Sequence, residues 1–256
     1  MKHASLIIAA LAVLFALSGP AVAAEDAAAV LAGVDDRSGG KLAPADMQSD
    51  MVMTITQGTS VKVREIRAWT RNNPGRNDDR LMKFISPADV RGVGFLVLDD
   101  DTMYIYLPEF HRTRRIASSN RKDSFMSSDF SYEDLGTGDF ARSYEPTLKE
   151  DGADAWVLEL KRKAGSDKTY ARIVMTVDKA KWMPVKTELY DNDGRLWKTA
   201  EQSYAPVKNF WVPTLIRMTD HKKNSSTTME MKGVKVNEGV GDDLFTERNL
   251  VRKIQG

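Results

Sequence analysis

A chain of 256 residues carries 37 basic and 36 acidic side chains and contains no cysteine. This near-neutral balance argues against bulk electrostatic binding of nucleic acid, and the missing thiols exclude a disulfide framework and thiolate chemistry. Beyond the first two dozen residues, the remaining chain of roughly 230 residues is long enough to bury one large apolar core without covalent cross-links.

The N-terminal stretch has the composition of a secretory signal peptide. Lys2 is its only formally charged residue, an apolar run follows over 6–17, and small residues continue to Ala24. This arrangement predicts a signal peptide over 1–24, cleaved after residue 23 or 24. The apolar run is too short to span a bilayer. We therefore expect an exported protein with no integral membrane segment after cleavage.

The pattern beyond the signal peptide is mainly that of β-strands. Residues 25–46 predict a short helix followed by a loop, with 35–40 in the loop. From 47 to 256, apolar and polar residues alternate in runs that are typical of strands with one buried face. Turn sequences such as Asp193-Gly194 separate the runs. The phase of the second run slips near Glu65, which predicts a β-bulge.

The number and spacing of these runs predict the fold class. We expect ten or eleven antiparallel strands with short connections, interrupted at 118–139 and 242–250. Many strands and few helices indicate a mainly β fold built on one large curved antiparallel sheet. A sheet of that size must bury one face, so the few helices, or a ligand, are expected to cover it.

Motifs for catalysis or metal binding are weak. His111 and His221 are the histidines beyond the signal peptide, and neither lies near a nucleophile signature. The carboxylates at 99–101 and 191–193 could attract calcium, but they lack the ligand spacing of a calcium loop. Both runs lie between predicted strands, where Asp and Asn favour turns. We expect no catalytic residues, no metal site and no cofactor.

A basic stretch, H-R-T-R-R at 111–115, has two interpretations. Alternation places Arg112 and Arg114 on one strand face and Arg115 on the other. Arginine holds phosphate and carboxylate groups through paired hydrogen bonds, so these side chains are candidates for binding lipid head groups or an acidic partner. The alternative is a solvated sheet face. Aromatic residues do not interleave with the arginines, so we expect no nucleic acid.

The inward face of the predicted sheet is the main candidate binding surface. The sequence has 12 methionines, and methionine suits a variable acyl chain because its side chain is unbranched and polarizable. The same pattern also fits a filled core, and the two interpretations remain open on pattern alone. The residues expected to line a lipid-binding cavity are Met51, Met53, Ile55, Phe95, Val97, Trp156, Leu158, Ile173 and Met175.

Four segments together resemble a known family. They are M-Y-I-Y-L-P at 103–108, R-T-R-R-I at 112–116, S-S-D-F-S-Y-E-D-L at 127–135 and L-F-T-E-R-N-L at 244–250. In this order and spacing they resemble the outer membrane lipoprotein-sorting protein family, the branch similar to the LolA/LolB carriers, over residues 45–252.

The resemblance implies a half-open β-barrel over 47–256, with helices on its concave side and an apolar cavity for acyl chains there. It also implies a periplasmic protein that carries a lipid or lipoprotein. Members of this branch are often associated with large lipid-exporting transporters, so an inner-membrane lipid exporter is an expected partner.

The acidic stretch at 127–136 predicts a short helical turn over the sheet. Asp129 is expected to cap a helix, with Glu133 in its first turn and Gly136 as its C-terminal stop. Its acids are expected near the upstream arginines. The residues expected to form a lid or hinge, together with a terminal helix, are Asp129, Phe130, Tyr132, Glu133 and Leu135.

Three functional hypotheses follow from these features. The leading one is a non-enzymatic carrier that buries acyl chains for transport towards the outer membrane. The first alternative is a periplasmic lipid sensor or an adaptor subunit of a lipid-exporting transporter. The least favoured is a hydrolase, because the sequence lacks a nucleophile constellation.

Overall fold

A computed structural model describes residues 26–73, 78–99, 102–136 and 139–253. The predicted signal peptide with its cleavage site, and residues 100–101 of the turn predicted at 99–101, lie outside these ranges. No helix within them is long and apolar enough to cross a membrane.

The described residues form thirteen strands in one antiparallel sheet. Its strands are β1 (Asp46–Gln57), β2 (Ser60–Arg71), β3 (Asp79–Ser86), β4 (Gly94–Asp99), β5 (Thr102–Leu107), β6 (Arg112–Arg115), β7 (Tyr144–Asp151), β8 (Ala155–Arg162), β9 (Arg172–Asp178), β10 (Met183–Tyr190), β11 (Leu196–Val207), β12 (Phe210–Asp220) and β13 (Ser225–Val236). The spatial order is β6-β5-β4-β3-β2-β1-β13-β12-β11-β10-β9-β8-β7. The sheet is not closed, because β6 and β7 are its two edges.

The mainly β fold with one large antiparallel sheet is therefore confirmed, although the predicted number of strands was too low. β7 has no counterpart among the predicted strands. It lies at an edge, so Tyr144 is its one buried residue, and it carries Pro146. Edge strands tolerate proline and polar residues because one side of the strand makes no ladder hydrogen bonds.

Alternation within the strands sets which face is buried. In β1, Met51, Met53 and Ile55 are buried, while the residues between them are only half-buried. β1 pairs with β2 on one side and with β13 on the other, which joins the N-terminal and C-terminal strands at the centre of the sheet. The bulge predicted near Glu65 of the second strand was wrong: β2 pairs with β1 without a break, and the register shift opposite Glu65 and Ile66 leaves out Ile85 of β3.

The turn predicted at 191–194 is also confirmed. The Asp191 carboxylate accepts hydrogen bonds of 3.0 Å from the backbone N–H groups of Asp193 and Arg195. Gly194 has a positive φ of 76°, a conformation that glycine adopts without steric cost. The acidic run here therefore organises the backbone between β10 and β11.

Three α-helices lie among the described residues: α1 (Ala27–Ser38), α2 (Phe140–Ser143) and α3 (Glu247–Leu250). Val30, Leu31 and Val34 of α1 are buried in the main core on the face that we call the inner face of the sheet. α1 continues through 35–38, where a loop was predicted. That prediction was wrong because Asp35 makes a tertiary contact with α2 that composition does not reveal.

The C-terminal segment packs against the opposite face of the sheet. Phe245 and Leu250 form a separate cluster with Leu81 of β3 and Leu96 of β4. Lys83, on the same face of β3, donates hydrogen bonds to the backbone carbonyls of Asn249 (2.6 Å) and Arg252. Burial lowers the pKa of the Lys83 ammonium to about 8. α3 therefore does not cover the inner face, and α1 is the terminal helix that does.

Candidate functional site

A partly enclosed cavity of about 370 Å³ lies against the inner face of the sheet. Its other walls come from the end of α1 and from residues 117–136, which we call the cover segment. This volume falls within the range of about 300–1,000 Å³ typical of small-molecule sites. The wall is largely apolar and includes seven methionines, namely Met47, Met51, Met82, Met183, Met218, Met229 and Met231.

The structure places Met51 and Ile173, alone among the nine residues expected to line a cavity, in the wall of this one. The remaining seven lie in the packed core at 0–7% exposure; they are Met53, Ile55, Phe95, Val97, Trp156, Leu158 and Met175. Each points to the inner face as predicted. Strand alternation cannot tell a residue covered by another side chain from one that faces open space.

Aromatic side chains of the cover segment fill the space over the strands at one end of the sheet. The ring of Phe125, which is fully buried, lies 5.0 Å from that of Phe95 and 5.8 Å from that of Phe84, between centroids. Tyr132 joins the cluster at 5.6 Å from Phe95, and burial raises the pKa of its hydroxyl. This cluster explains why Phe95 belongs to the core.

α1 fills the space at the other end of the inner face. The Trp182 ring packs against Trp156 with 4.7 Å between centroids, and the Arg37 guanidinium lies 5.1 Å from the Trp182 centroid. Gly33 faces the same ring so closely that a Cβ there would overlap it. The helix therefore approaches the sheet only because residue 33 lacks a side chain, and Trp156 is covered as a result.

Several methionines that line the cavity were not predicted to do so, and two of them lie on the strand next to β1. Met51 of β1 is paired with Met231 of β13, and Met53 with Met229. The alternation of Met229 and Met231 in T-T-M-E-M was a usable signal for one inward face. The pairing of β1 with β13, which brings Met53 beside a residue 176 positions later in the chain, was not visible in that pattern.

A buried ion pair fastens the cover segment to the sheet. One Asp134 carboxylate oxygen lies 2.8 Å from the Lys198 ammonium of β11, and the side chains are 6% and 4% exposed. The same carboxylate accepts hydrogen bonds from the Tyr170 hydroxyl (2.8 Å) and the Ser131 backbone N–H (2.7 Å). The buried Asp134 carboxylate is thus compensated by three donors, as a carboxylate removed from water requires.

Asp129 fastens the cover segment to β13. Its buried carboxylate accepts hydrogen bonds from the Ser225 hydroxyl and, at 2.6 Å, from the Thr227 hydroxyl. Its backbone N–H donates to Thr227 Oγ1 at 2.9 Å. The predicted helix cap was wrong, because residues 132–135 form turns rather than a helix and the carboxylate contacts a distant strand instead.

Glu133 provides a third attachment. It accepts hydrogen bonds from the Thr169 backbone N–H (3.0 Å) and hydroxyl (2.6 Å). Of the residues expected to form a lid or hinge, Phe130, Glu133 and Leu135 line the cavity, whereas Tyr132 belongs to the aromatic cluster. The acids of this segment thus bind β13, Tyr170, Lys198 and Thr169, residues that are distant in sequence.

The rim of the cavity includes the contact between α1 and α2. The Asp35 carboxylate accepts hydrogen bonds from the backbone N–H groups of Phe140 (3.1 Å) and Ala141 (2.8 Å). Burial outweighs these bonds and raises the pKa of Asp35 to about 7. Because Phe140 lines the cavity, this contact attaches α1 to the part of the cavity wall that α2 forms.

The predicted basic stretch lies away from the cavity. Arg112, Arg114 and Arg115 form most of β6, an edge strand, and all three are exposed. Phe110, just before the strand, is 60% exposed. Within the described residues, no group of three or more His, Asp or Glu side chains is arranged to hold a metal ion.

Comparisons place the chain among proteins with the same fold. A DUF1329 family protein from Desulfovibrio piger has a TM-score of 0.81 at 27% identity, covering 88% of this chain and 97% of that one. An outer membrane lipoprotein-sorting protein domain from Vibrio parahaemolyticus has a TM-score of 0.80 at 28% identity, covering 88% and 98%.

A LolA superfamily protein from Nitrosomonas europaea has a TM-score of 0.69 at 19% identity, covering 88% of this chain and 99% of that one. That identity indicates a shared fold only. A family model described as "uncharacterized protein" matches residues 76–252. No match is found among proteins with curated descriptions.

Proposed function

The chain belongs to the family whose model spans residues 76–252 and shares the LolA-like fold of outer membrane lipoprotein-sorting proteins, and on that premise we propose that it is a periplasmic, non-enzymatic carrier. The cargo is the acyl part of a lipid or lipoprotein, bound in the cavity on the inner face and moved towards the outer membrane.

The observation that carries this proposal is the methionine-lined cavity of about 370 Å³. Removing each methylene of a chain from water stabilises the complex by about 0.8 kcal/mol, so a long acyl chain supplies ample affinity. Methionine side chains adapt their shape to chains of different length and unsaturation. A wall of this kind therefore suits a class of acyl cargo better than one rigid ligand.

Cargo exchange requires one wall to move. The cover segment is the candidate, because it crosses the cavity as a loop and is held to the sheet by polar contacts at Asp129, Glu133 and Asp134. Opening would hydrate both partners of each contact at once, so no buried charge would be left unpaired, while the buried ring of Phe125 would keep the other end of the segment against Phe84 and Phe95. We propose that residues 129–136 open as a lid and that α1 stays in place over Trp182.

The decisive experiment is lipid analysis of the protein purified from its native envelope. Organic extraction and mass spectrometry should find close to one equivalent of acyl chains or lipid per protein. Ala200 of β11 lines the cavity, so Ala200→Phe should fill it and remove most of the bound lipid. Ser203→Phe places the same ring on the exposed face of the same strand and should leave the lipid content unchanged.

Two results would contradict the carrier function. One is an absence of bound acyl chains in the native protein, together with no uptake of a fluorescent fatty acid. The other is equal lipid content in the Ala200→Phe variant when its circular dichroism and melting temperature match those of the unaltered protein.

The second candidate function is an adaptor that docks onto an inner-membrane lipid exporter. The observation that favours it is the exposed edge strand β6, with its three arginines and the exposed ring of Phe110. Edge strands present unpaired backbone groups to a partner. Replacing Arg112 and Arg114 with glutamate should abolish co-purification with the exporter while retaining lipid. If the unaltered protein does not co-purify with an exporter, the adaptor function is refuted.

A further inference from the structure

A second cavity, of about 310 Å³, lies beside the apolar one and is polar in character. Basic, acidic and hydroxyl side chains line it. Its wall consists of Ser118, Ser119, Arg121, Lys122, Glu133, Arg162, Asp167, Lys168, Thr169 and Asn192. Burial of an acyl chain in the apolar cavity does not by itself require such a pocket.

The pocket carries a surplus of positive charge. Four of its residues are basic and two are acidic, which leaves a formal charge of +2. Asp167, one of the two acids, forms an ion pair of 3.3 Å with Arg121, and because its side chain is 65% exposed, water screens its charge. The other acid, Glu133, already accepts hydrogen bonds from the Thr169 N–H and hydroxyl. An anion in the pocket therefore meets more cationic than anionic side chains.

Two arginines of the pocket are held in fixed orientations. Arg121 is 6% exposed, and its terminal nitrogens donate to the Ser118 hydroxyl at 2.6 Å and to the Asp167 carboxylate at 3.3 Å. The Arg162 guanidinium donates to the backbone carbonyl of Lys168 at 2.5 Å and to Asn192 Oδ1 at 2.8 Å. Side chains that are ordered before a ligand arrives lose little conformational entropy on binding, which favours affinity.

The polar pocket and the apolar cavity share part of their walls. Glu133 and Lys168 line both. The Glu133–Thr169 hydrogen bonds lie at this shared wall and belong to the attachments of the cover segment. An amphiphile whose acyl chain enters the apolar cavity therefore has a cationic pocket beside that chain, within the reach of its head group.

We propose that the polar pocket binds the phosphate of an anionic lipid head group while the acyl chain of the same molecule occupies the apolar cavity. This inference rests on the proposed carrier function and names its cargo class as anionic phospholipids. Phosphate oxygens accept hydrogen bonds only, and they match the guanidinium, ammonium and hydroxyl donors of the pocket. A zwitterionic head brings a quaternary cation that the surplus positive charge repels.

The test compares two lipids that differ only in the head group. Dioctanoyl phosphatidylglycerol and dioctanoyl phosphatidylcholine are titrated below their micelle concentrations into the full-length mature protein, with calorimetry as the readout. We expect the anionic lipid to bind about tenfold more tightly, which corresponds to ~1.4 kcal/mol. Inorganic phosphate is titrated separately and should bind far more weakly, because it lacks the acyl chain.

Removing two positive charges from the pocket should remove the preference for the anionic lipid. In the Lys122→Gln/Lys168→Gln variant, the ratio of the two dissociation constants should fall to within about threefold. The matched control, Lys161→Gln/Lys235→Gln, removes the same charge from exposed positions outside both cavities. The control should keep the tenfold ratio, which separates a local effect from one of net charge.

Each outcome supports or overturns the inference. Equal affinity of the unaltered protein for both lipids overturns the head-group site and leaves the carrier function standing. Binding of neither lipid overturns both. Free phosphate that binds as tightly as the anionic lipid reassigns the pocket to a soluble anion. An equal loss of preference in the control variant attributes the selectivity to the overall field of the protein.

Discussion

Replacing Asp134 with asparagine tests how the cover segment is held down. The change keeps the shape of the side chain but removes the anion 2.8 Å from Lys198, leaving an ammonium that is 4% exposed. The rings of Tyr170 and Trp197 lie 5.8 and 5.3 Å from that nitrogen, and they do not replace a full negative charge. Removing one partner of a buried pair costs about 3–5 kcal/mol of stability.

A second ion pair of the same length provides the control. Lys186 and Glu188 are also 2.8 Å apart, but their side chains are 48% and 24% exposed. Exposed pairs contribute about 0–1 kcal/mol, so Glu188→Gln should have little effect. The distance is equal in the two pairs, and the expected difference therefore arises from burial.

Urea unfolding followed by tryptophan fluorescence measures both losses as free energies. Lys198→Met should itself be destabilising, because it leaves the buried Asp134 carboxylate without its cation. The double variant, Asp134→Asn with Lys198→Met, should lose less than the sum of the single losses, since neither buried charge then remains. An Asp134→Asn loss no larger than that of Glu188→Gln, or additive losses in the double variant, would refute this account.

Three further predictions concern burial elsewhere in the fold. Burial raises the pKa of Asp35 to about 7 from 3.8, so between these pH values the folded state holds a proton that the unfolded state releases. The unfolding free energy should therefore fall as pH rises from 4 to 7. In urea titrations, Asp35→Asn should flatten that fall. Burial lowers the pKa of Lys83 to about 8 from 10.5, so between these pH values the unfolded state holds a proton that the folded state has released. The unfolding free energy should therefore rise from pH 8 to 10.5. A Lys83→Met variant with the same rise would show that Lys83 is not its cause. Phe125→Ala should cost about 3–5 kcal/mol and create an apolar cavity beside Phe84 and Phe95, measurable by thermal unfolding and by tighter binding of an apolar dye.

The candidate site was only partly predictable, and its residues show why. Met51 and Met53 have the same type, the same strand and the same inward direction, and the sequence treats them alike. In the structure Met51 faces the cavity, whereas Met53 is fully buried in the core. The difference depends on which side chains of other segments lie above each residue, and those segments approach from elsewhere in the chain.

The acids at 129–134 illustrate the same limit. Local sequence favours a helix cap at Asp129, because short polar side chains commonly satisfy the N–H groups of a first turn. In the fold, hydroxyls of β13 and the Lys198 ammonium offer these carboxylates buried partners. A desolvated carboxylate gains more from such partners than an exposed cap does, so tertiary contacts override the local preference.

The sequence by itself determined the fold class, the inward faces of the strands and the turn at 191–194. These features depend on alternation and on turn chemistry, which act over a few neighbouring residues. Only the tertiary structure decided where the inner face stays open and which pocket lies beside it. Packing between segments distant in the chain sets both, because a void exists only where no side chain of any segment arrives to fill it.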